Sequence, residues 1–528
     1  MLDVTLTIKN FRCFEDSDPV HLALRSGVTA LVGPNNAGKS SLLRMFFELR
    51  DLLVRSANDP SVLQAWLGGG IAGFNLAGVP DALAIIHDGN QRPMTLRIDC
   101  PPPADERAIR GMEFNFDRQN PGAPRAKTYR GQDFIEVPAG PISGWESNLK
   151  VRVADGYLDY SHFAEHTQAL RNTLYIGPFR NILNQSRAPY YDLTVGTDFV
   201  VTWDNWKNGP NRSQNRAIKE VESAIAHLFG FSSLEINPSP GNEELRVFVN
   251  GHPFALHEQG AGLAQFIVTF GAAATRRPSL ILIDEPELNL HPSLQIDFLT
   301  TLATFASEGV LFSTHSIGLA RSVADTIYSV QRKGGHSIVR SYDATPNIQE
   351  FAGELSFSAF REFGYDRLLL VEGPTDVRTV QQLLRKLNKD QRVVVFPLLG
   401  HAFASGDYEG ALVELRRIAP AHKIAALVDS ERVSAEGPPD AKRKAFAGAC
   451  ANEGFSSVLL TERRAIENYF SRAAVQEGVG TQYDALSPHE SHGAAPKNWS
   501  KKLNWKIAHA MNLTDLEGTD LLTFLKAL

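Results

Sequence analysis

Short apolar runs separated by amphipathic stretches organise this chain. Residues 4–8 alternate as a half-buried strand does, and residues 28–32 are almost continuously apolar. Residues 174–176, 280–283 and 310–313 add further runs of the fully buried kind. Between them lie helical periods. Leu42, Leu43, Phe46 and Leu49 share one face, as do Ile218, Val221, Ala224, Ile225 and Leu228. Residues 263–270 form an apolar helical stretch, and Leu294, Phe298, Leu299, Leu302 and Phe305 mark another face. The alternation resumes later, with strands at 367–371, 393–396, 424–428 and 457–460 and a helix bearing Val377, Val380, Leu383, Leu384 and Leu387. Strands alternating with helices predict an α/β protein built on parallel sheets. Between residues 50 and 172, proline-rich turns and short alternating runs predict a β-rich segment.

At 528 residues the chain has room for two or three cores. With 43% hydrophobic and 21% charged residues and a formal net charge of −6, any nucleic-acid contact must come from local basic patches. Cys13, Cys100 and Cys450 are scattered and odd in number, which fits reduced structural thiols. The N-terminal stretch lacks a signal-peptide pattern, and no apolar run approaches the ~20 residues of a membrane span. A cytoplasmic protein without membrane association is expected.

Three strand ends carry chemistry. Gly33-Pro34-Asn35-Asn36-Ala37-Gly38-Lys39-Ser40 follows the 28–32 strand and precedes a helix, the setting of a P-loop. Its glycines let backbone N–H groups wrap phosphates, Lys39 can reach the outer phosphates, and the Ser40 hydroxyl can ligate magnesium. The 280–283 strand ends in Asp284 and Glu285, a pair suited to holding a metal's water shell and accepting a proton from attacking water; a capped loop with two solvated acids is the plainer reading of that stretch alone. His257–Gly262 reads HEQGAG, with Gly260 and Gly262 opening a helix, an anion-friendly terminus. His315 closes the strand at 310–313. Arg212, Arg216 and Lys219 suit phosphate contact, but a solvated helix face explains them as well.

The order of these motifs, with Ile8-Lys9-Asn10-Phe11-Arg12 ahead of GPNNAGKSS and Glu287–His291 after the acids, resembles ABC-type ATPases of the SMC-like branch. The resemblance covers about residues 1–330, leaving an inserted arm at about 181–240 unmatched. It implies ATP and magnesium bound by Gly33, Asn35, Asn36, Gly38, Lys39, Ser40 and Ser41. It further implies Asp284 on the metal's water shell, Glu285 as general base and His315 as γ-phosphate sensor. Gly260 and Gly262 would complete a site across a homodimer. The signature reads QGAG, where transporter-type ATPases have LSGGQ, and no glutamine loop is identifiable.

In the second half, Glu372-Gly373-Pro374-Thr375-Asp376 follows a strand, Asp429-Ser430-Glu431 ends another, and Glu467 lies in IENYF beyond a third. Asp429 and Glu431 project to one face of an extended chain. Acids at the carboxyl ends of neighbouring parallel strands suit hard cations and phosphodiester chemistry. This set resembles a Toprim domain, a Rossmann-like α/β fold. A Toprim domain behind an SMC-like ATPase resembles the OLD (overcoming lysogenization defect) family of nucleases.

That resemblance implies an ATPase domain at 1–350, a Toprim domain at 351–480 and a helical segment completing it at 481–528. Glu372, Asp376, Asp429, Glu431 and Glu467 would be ligands of Mg²⁺ or Mn²⁺, with Glu372 also a candidate base. Glu431 departs from the family's usual aspartate by one methylene. A lysine beyond the acids is expected as a catalytic residue, and Lys502 is favoured among Lys501, Lys502 and Lys506. The family implies an ATP-regulated nuclease in anti-phage defence; DNA is expected as substrate more than RNA, and an operon-encoded defence partner is a further expectation. PARIS-like systems, where the ATPase senses a trigger and a Toprim effector cuts tRNA, supply the alternative. An architectural SMC clamp would need long coiled-coil heptads, and none are present.

Overall fold

The computed structural model describes residues 2–528 apart from 103–107, 131–132, 136–149, 154–155, 179–189, 242–243, 289, 291, 334, 342–366, 391, 398–411, 414, 417–419 and 496. The chain divides into two compact units that are not consecutive in sequence. One comprises Met1–Leu290, Thr301–His315 and Thr326–Tyr342; the other comprises His291–Thr300, Ser316–Asp325 and Asp343–Leu528.

The first unit holds two six-stranded sheets. Strands β1 (Asp3–Lys9), β2 (Val20–Arg25), β4 (Met94–Asp99), β5 (Gly111–Phe116), β6 (Arg125–Arg130) and β7 (Asp133–Ile135) form an antiparallel sheet in the order β2-β1-β4-β5-β6-β7. Its buried positions alternate along β1 and β4, the period expected of a sheet packed on one face. The second sheet has the order β10-β14-β15-β3-β16-β17, from β3 (Gly27–Val32), β10 (Thr173–Ile176), β14 (Leu280–Asp284), β15 (Gly309–Thr314), β16 (Thr326–Lys333) and β17 (His336–Ser341). All its pairings are parallel except β16 with β17. Strands β14 and β15 are buried along their whole length, which explains their unbroken apolar runs. Helix Lys39–Glu48 packs Leu42 and Phe46 into the same core as Leu6, Leu96, Phe114 and Leu282.

The segment expected to be β-rich also contains helices Arg50–Asn58, Pro60–Leu67 and Ser161–Arg171. Asp59 caps the second of these by accepting from the Ser61 and Val62 N–H groups, with Pro60 at its first position. Hairpin β8 (Lys150–Val153) and β9 (Gly156–Asp159) completes the segment. The described part of the expected arm consists of helices Gly196–Asn208 and Arg212–Phe229 and the start of a three-stranded antiparallel sheet. That sheet comprises β11 (Leu234–Pro238), β12 (Leu245–Val249) and β13 (His252–Ala255).

The second unit centres on a parallel sheet in the order β19-β18-β20-β21, from β18 (Arg367–Val371), β19 (Val393–Pro397), β20 (Ile424–Asp429) and β21 (Ser456–Leu460). Alternate residues of β18 face opposite layers. Leu369 and Val371 pack with Val377, Val380, Ile507 and Leu521. Leu368 and Leu370 pack with Phe396, Phe446 and Cys450. The C-terminal helices Asn504–Ala510 and Asp520–Ala527 thus close one face of this sheet. Among the described residues, no helix is long and apolar enough to cross a membrane.

Candidate active sites

The first site lies at the carboxyl ends of three adjacent strands, β14, β15 and β3. Two glycines of the loop after β3 are there for lack of space. A Cβ on Gly33 would stand 2.0 Å from the Val330 carbonyl oxygen, and one on Gly38, at φ +101°, would stand 2.6 Å from Cys13 Sγ. Asn35 and Asn36 are exposed in this loop, Asn36 at φ 61°, and Ser40 and Ser41 enter helix Lys39–Glu48. Lys39 turns back over the loop, donating to the carbonyl oxygens of Gly33 at 2.7 Å and Pro34 at 3.0 Å. Its side chain is buried, and that burial lowers its pKa although Glu285, Asp284 and Glu287 oppose the shift.

Asp284 ends β14 opposite Ser313 of β15. The Ser313 and Ser40 hydroxyls both hydrogen-bond its carboxylate, while burial pushes its pKa up. Glu285 has left-handed backbone, φ 49°, and its N–H donates to the Ser313 carbonyl at 3.1 Å. His315 joins the three strand ends: its Nε2 lies 2.9 Å from Glu285 Oε1, and its Nδ1 lies 2.9 Å from the Gly33 carbonyl oxygen and 3.3 Å from Lys39 Nζ. Glu287 fixes this corner, its Oε1 accepting from Thr314 Oγ1 at 2.6 Å and from the His315 N–H at 3.0 Å. Gly260 and Gly262 sit at the first turn of helix Ala261–Arg276, where the hydrogen bond from Leu263 N–H to the Gly260 carbonyl, 3.1 Å, is local. His291, the last residue of the segment compared with a D-loop, lies outside the described residues.

The second site is formed where β18, β20 and β21 end. Glu372 follows β18, and its Oε1 accepts the Asp429 N–H at 3.1 Å, tying adjacent strand ends together. Asp376 caps helix Pro374–Lys386, accepting from the Gly373 N–H at 2.9 Å. Asp429 Oδ1 accepts the Ile466 N–H at 3.0 Å, bringing in the turn that carries Glu467. Burial raises the pKa of Asp376 to about 7 and that of Asp429 well above the usual carboxylate range, with the charges of Glu372 and Glu467 adding to both. Glu467 is almost fully buried; its Oε1 receives Lys501 Nζ at 2.8 Å and Asn504 Nδ2 at 3.0 Å, and its Oε2 has no protein partner. Trp499 Nε1 donates to Asn504 Oδ1 at 2.8 Å and so orients that amide. Lys501 is therefore the lysine brought to the acids. Lys502, favoured from the sequence, makes no such contact among the described residues. Lys501–Leu503 is a 3₁₀ turn, in which successive side chains point about 120° apart, so both cannot face the carboxylates.

Two arginines complete the site. Arg443 forms a fork with Glu372, Nε to Oε1 and Nη2 to Oε2, each 2.9 Å. Arg464 pairs with Glu431, whose own backbone is left-handed at φ 52°. From the sequence both arginines are only parts of basic runs, and nothing local marks their partners. Among the described residues, no three His, Cys, Asp or Glu side chains are arranged to hold a metal ion as they stand. The donor set nevertheless suits a hard divalent cation: it is all oxygen, Glu467 Oε2 is buried without a partner, and two aspartates are held above their ordinary pKa by burial first and by neighbouring negative charge second.

A model of the AAA ATPase domain matches residues 4–56, and one described as an AAA domain, putative AbiEii toxin of a type IV toxin–antitoxin system, matches residues 114–321. The Old nuclease of Escherichia phage P2 is 24% identical over 426 residues, covering 73% of this chain and 70% of that protein. The OLD nuclease of Thermus scotoductus is 24% identical over 428 residues, covering 73% and 74%. Among solved structures, an SMC head bound to the C-terminal winged-helix domain of ScpA covers 65% of this chain and 98% of that one, at TM-score 0.41 and 13% identity. The SMC head domain from Thermotoga maritima covers 65% and 100%, at TM-score 0.33 and 15% identity. The chain is an α/β protein that matches AAA ATPase domains and resembles the OLD nucleases over 73% of its length.

Proposed function

We propose that this protein is an ATP-regulated, divalent-metal-dependent endonuclease whose second unit, a Toprim-type domain, cuts nucleic-acid phosphodiesters, DNA in preference to RNA. The observation that carries the reading is the convergence of Glu372, Asp376, Asp429 and Glu467 with Lys501 where β18, β20 and β21 end. Two Mg²⁺ or Mn²⁺ ions bound there would activate water and stabilise the leaving oxygen. Glu372, Asp376, Asp429, Glu431 and Glu467 are the residues to hold them. Lys501, fixed by Glu467, places a positive charge where the transition state accumulates negative charge.

In the first unit Lys39 and the loop amides bind the phosphates of ATP, Ser40 and Asp284 face its magnesium, and Glu285 takes the proton of the attacking water. His315 holds Glu285 and reaches the loop, so it can report occupancy of the outer phosphate position. Gly260 and Gly262 would act across a homodimer.

Incubation with plasmid DNA and, separately, total tRNA, at varied ATP and with Mg²⁺ or Mn²⁺, tests the reading. Wild type should cleave, Asp429→Ala should not, and Lys39→Ala should lose the nucleotide response. Cleavage of tRNA alone would replace the DNA preference with the RNA-cutting alternative. Cleavage that survives Asp429→Ala would place the chemistry elsewhere.

A further inference from the structure

Three glutamates of the second site have cationic partners, and the three pairs are not equivalent. The Lys501–Glu467 pair sits deep: the glutamate side chain is 3% exposed. The two arginine pairs form a rim. Arg443 and Glu372 are 25% and 19% exposed, and Arg464 and Glu431 are 19% and 24% exposed. At the rim the forked guanidinium of Arg443 covers both oxygens of Glu372, and Oε1 also accepts the Asp429 N–H. While that fork is closed, Glu372 Oε1 already accepts two hydrogen bonds and Oε2 one, so the carboxylate cannot bind a divalent ion through both oxygens.

We propose that Arg443 and Arg464 are place-holding cations. Each holds a carboxylate, Glu372 or Glu431, that passes to a divalent ion, and the released guanidinium then binds a phosphate of the nucleic-acid backbone beside the one being cut. This rests on the reading of the second site as a metal-dependent nuclease.

The chemistry supports an exchange. A guanidinium fork fits phosphate as well as it fits carboxylate, so the same side chain serves both states. Arg443 is carried on a firmly started helix, Ala441–Asn452, whose first turn is capped by Asp440 accepting from the Lys442 and Arg443 N–H groups at 3.1 Å each. The backbone therefore stays in place while the long side chain swings. Arg464 is anchored likewise: its N–H donates to the Pro488 carbonyl at 2.8 Å, and its own carbonyl accepts the Glu431 N–H at 2.8 Å. A polyanion approaching five carboxylates meets repulsion unless cations line its path, and the partly exposed rim is where a backbone phosphate would lie.

The test is Mn²⁺ binding by calorimetry to the full chain without nucleic acid, comparing wild type with Arg443→Gln and Arg464→Gln. Removing a competing cation should tighten Mn²⁺ binding about three- to tenfold, the range a partly exposed charged pair is worth. Binding of a DNA duplex in Ca²⁺ should weaken in the same variants, with the log–log salt slope reduced by about one for each phosphate that is no longer neutralised. Arg443→Lys, which keeps the charge without the fork, should fall between. An arginine that merely braces the fold would give the opposite: Mn²⁺ affinity unchanged or weaker in both glutamine variants, at unchanged circular dichroism, overturns the proposal. Wild type that binds no Mn²⁺, or binds it equally after Asp429→Ala, would sink the nuclease reading itself.

Discussion

His315 Nε2 lies 2.9 Å from Glu285 Oε1 while Nδ1 of the same ring lies 2.9 Å from the Gly33 carbonyl oxygen. One imidazole thus spans the general-base candidate and the phosphate loop. Replacing Glu285 by Gln should abolish measurable ATP turnover, a loss of about 10²-fold or more, while leaving nucleotide binding intact. His315→Ala should lower kcat with a smaller effect on KM, because the ring's Nε2 holds Glu285 while the loop keeps its other phosphate contacts. Steady-state phosphate release and binding of a fluorescent ATP analogue separate the two. Equal loss of binding in both variants would contradict these roles.

The adjacent lysines of the C-terminal 3₁₀ turn offer a direct comparison. Lys501→Ala should reduce nucleic-acid cleavage by about 10²-fold, the scale of losing one electrostatic stabiliser in a shielded site. Lys502→Ala should stay within a few-fold of wild type. The reverse order would return the role to the lysine favoured from sequence.

The half-buried Asp376 predicts a pH dependence. Its folded-state pKa is raised to about 7, against an unfolded value near 3.9. The folded protein therefore binds more protons than the unfolded chain between those values. The stabilisation this group contributes is fully present below about pH 4 and is lost as pH rises through about 7. Asp376→Asn should remove the dependence. In metal-free protein, the melting temperature of wild type minus that of Asp376→Asn should fall as pH rises from 5 to 8. A flat difference would show that Asp376 is ionised throughout.

The second unit also holds a charged pair away from its acids. Arg378, on the helix that Asp376 caps, is ion-paired with Asp325, and their side chains are 1% and 3% exposed. Removing one partner strands the other, so Asp325→Ala should cost about 3–5 kcal/mol of stability. Urea denaturation followed by tryptophan fluorescence should show it. A cost under about 1 kcal/mol would mean that water reaches the site.

Much of the architecture is legible in short stretches of sequence because its causes are local. The unbroken apolar runs at β14 and β15 announce strands buried on both faces, and Gly33 to Ser40 announces a phosphate loop, since its geometry is written in consecutive residues. The helices within residues 50–172 are less legible: Arg50–Asn58 mixes charged residues with a short apolar face, and nearby prolines start a helix as readily as they end one.

The α/β pattern, the glycine-rich loop after β3 and the carboxylates at strand ends are readable from neighbouring residues, because strand periodicity and a loop's glycines act locally. Only the tertiary structure decided that His315 meets Glu285, that Lys501 and not Lys502 meets Glu467, and that Arg443 and Arg464 close over Glu372 and Glu431. Those pairings join residues about 30 to 70 positions apart. They depend on which strand lies beside which and on the rotation of each helical turn, and neither leaves a periodic trace in the chain.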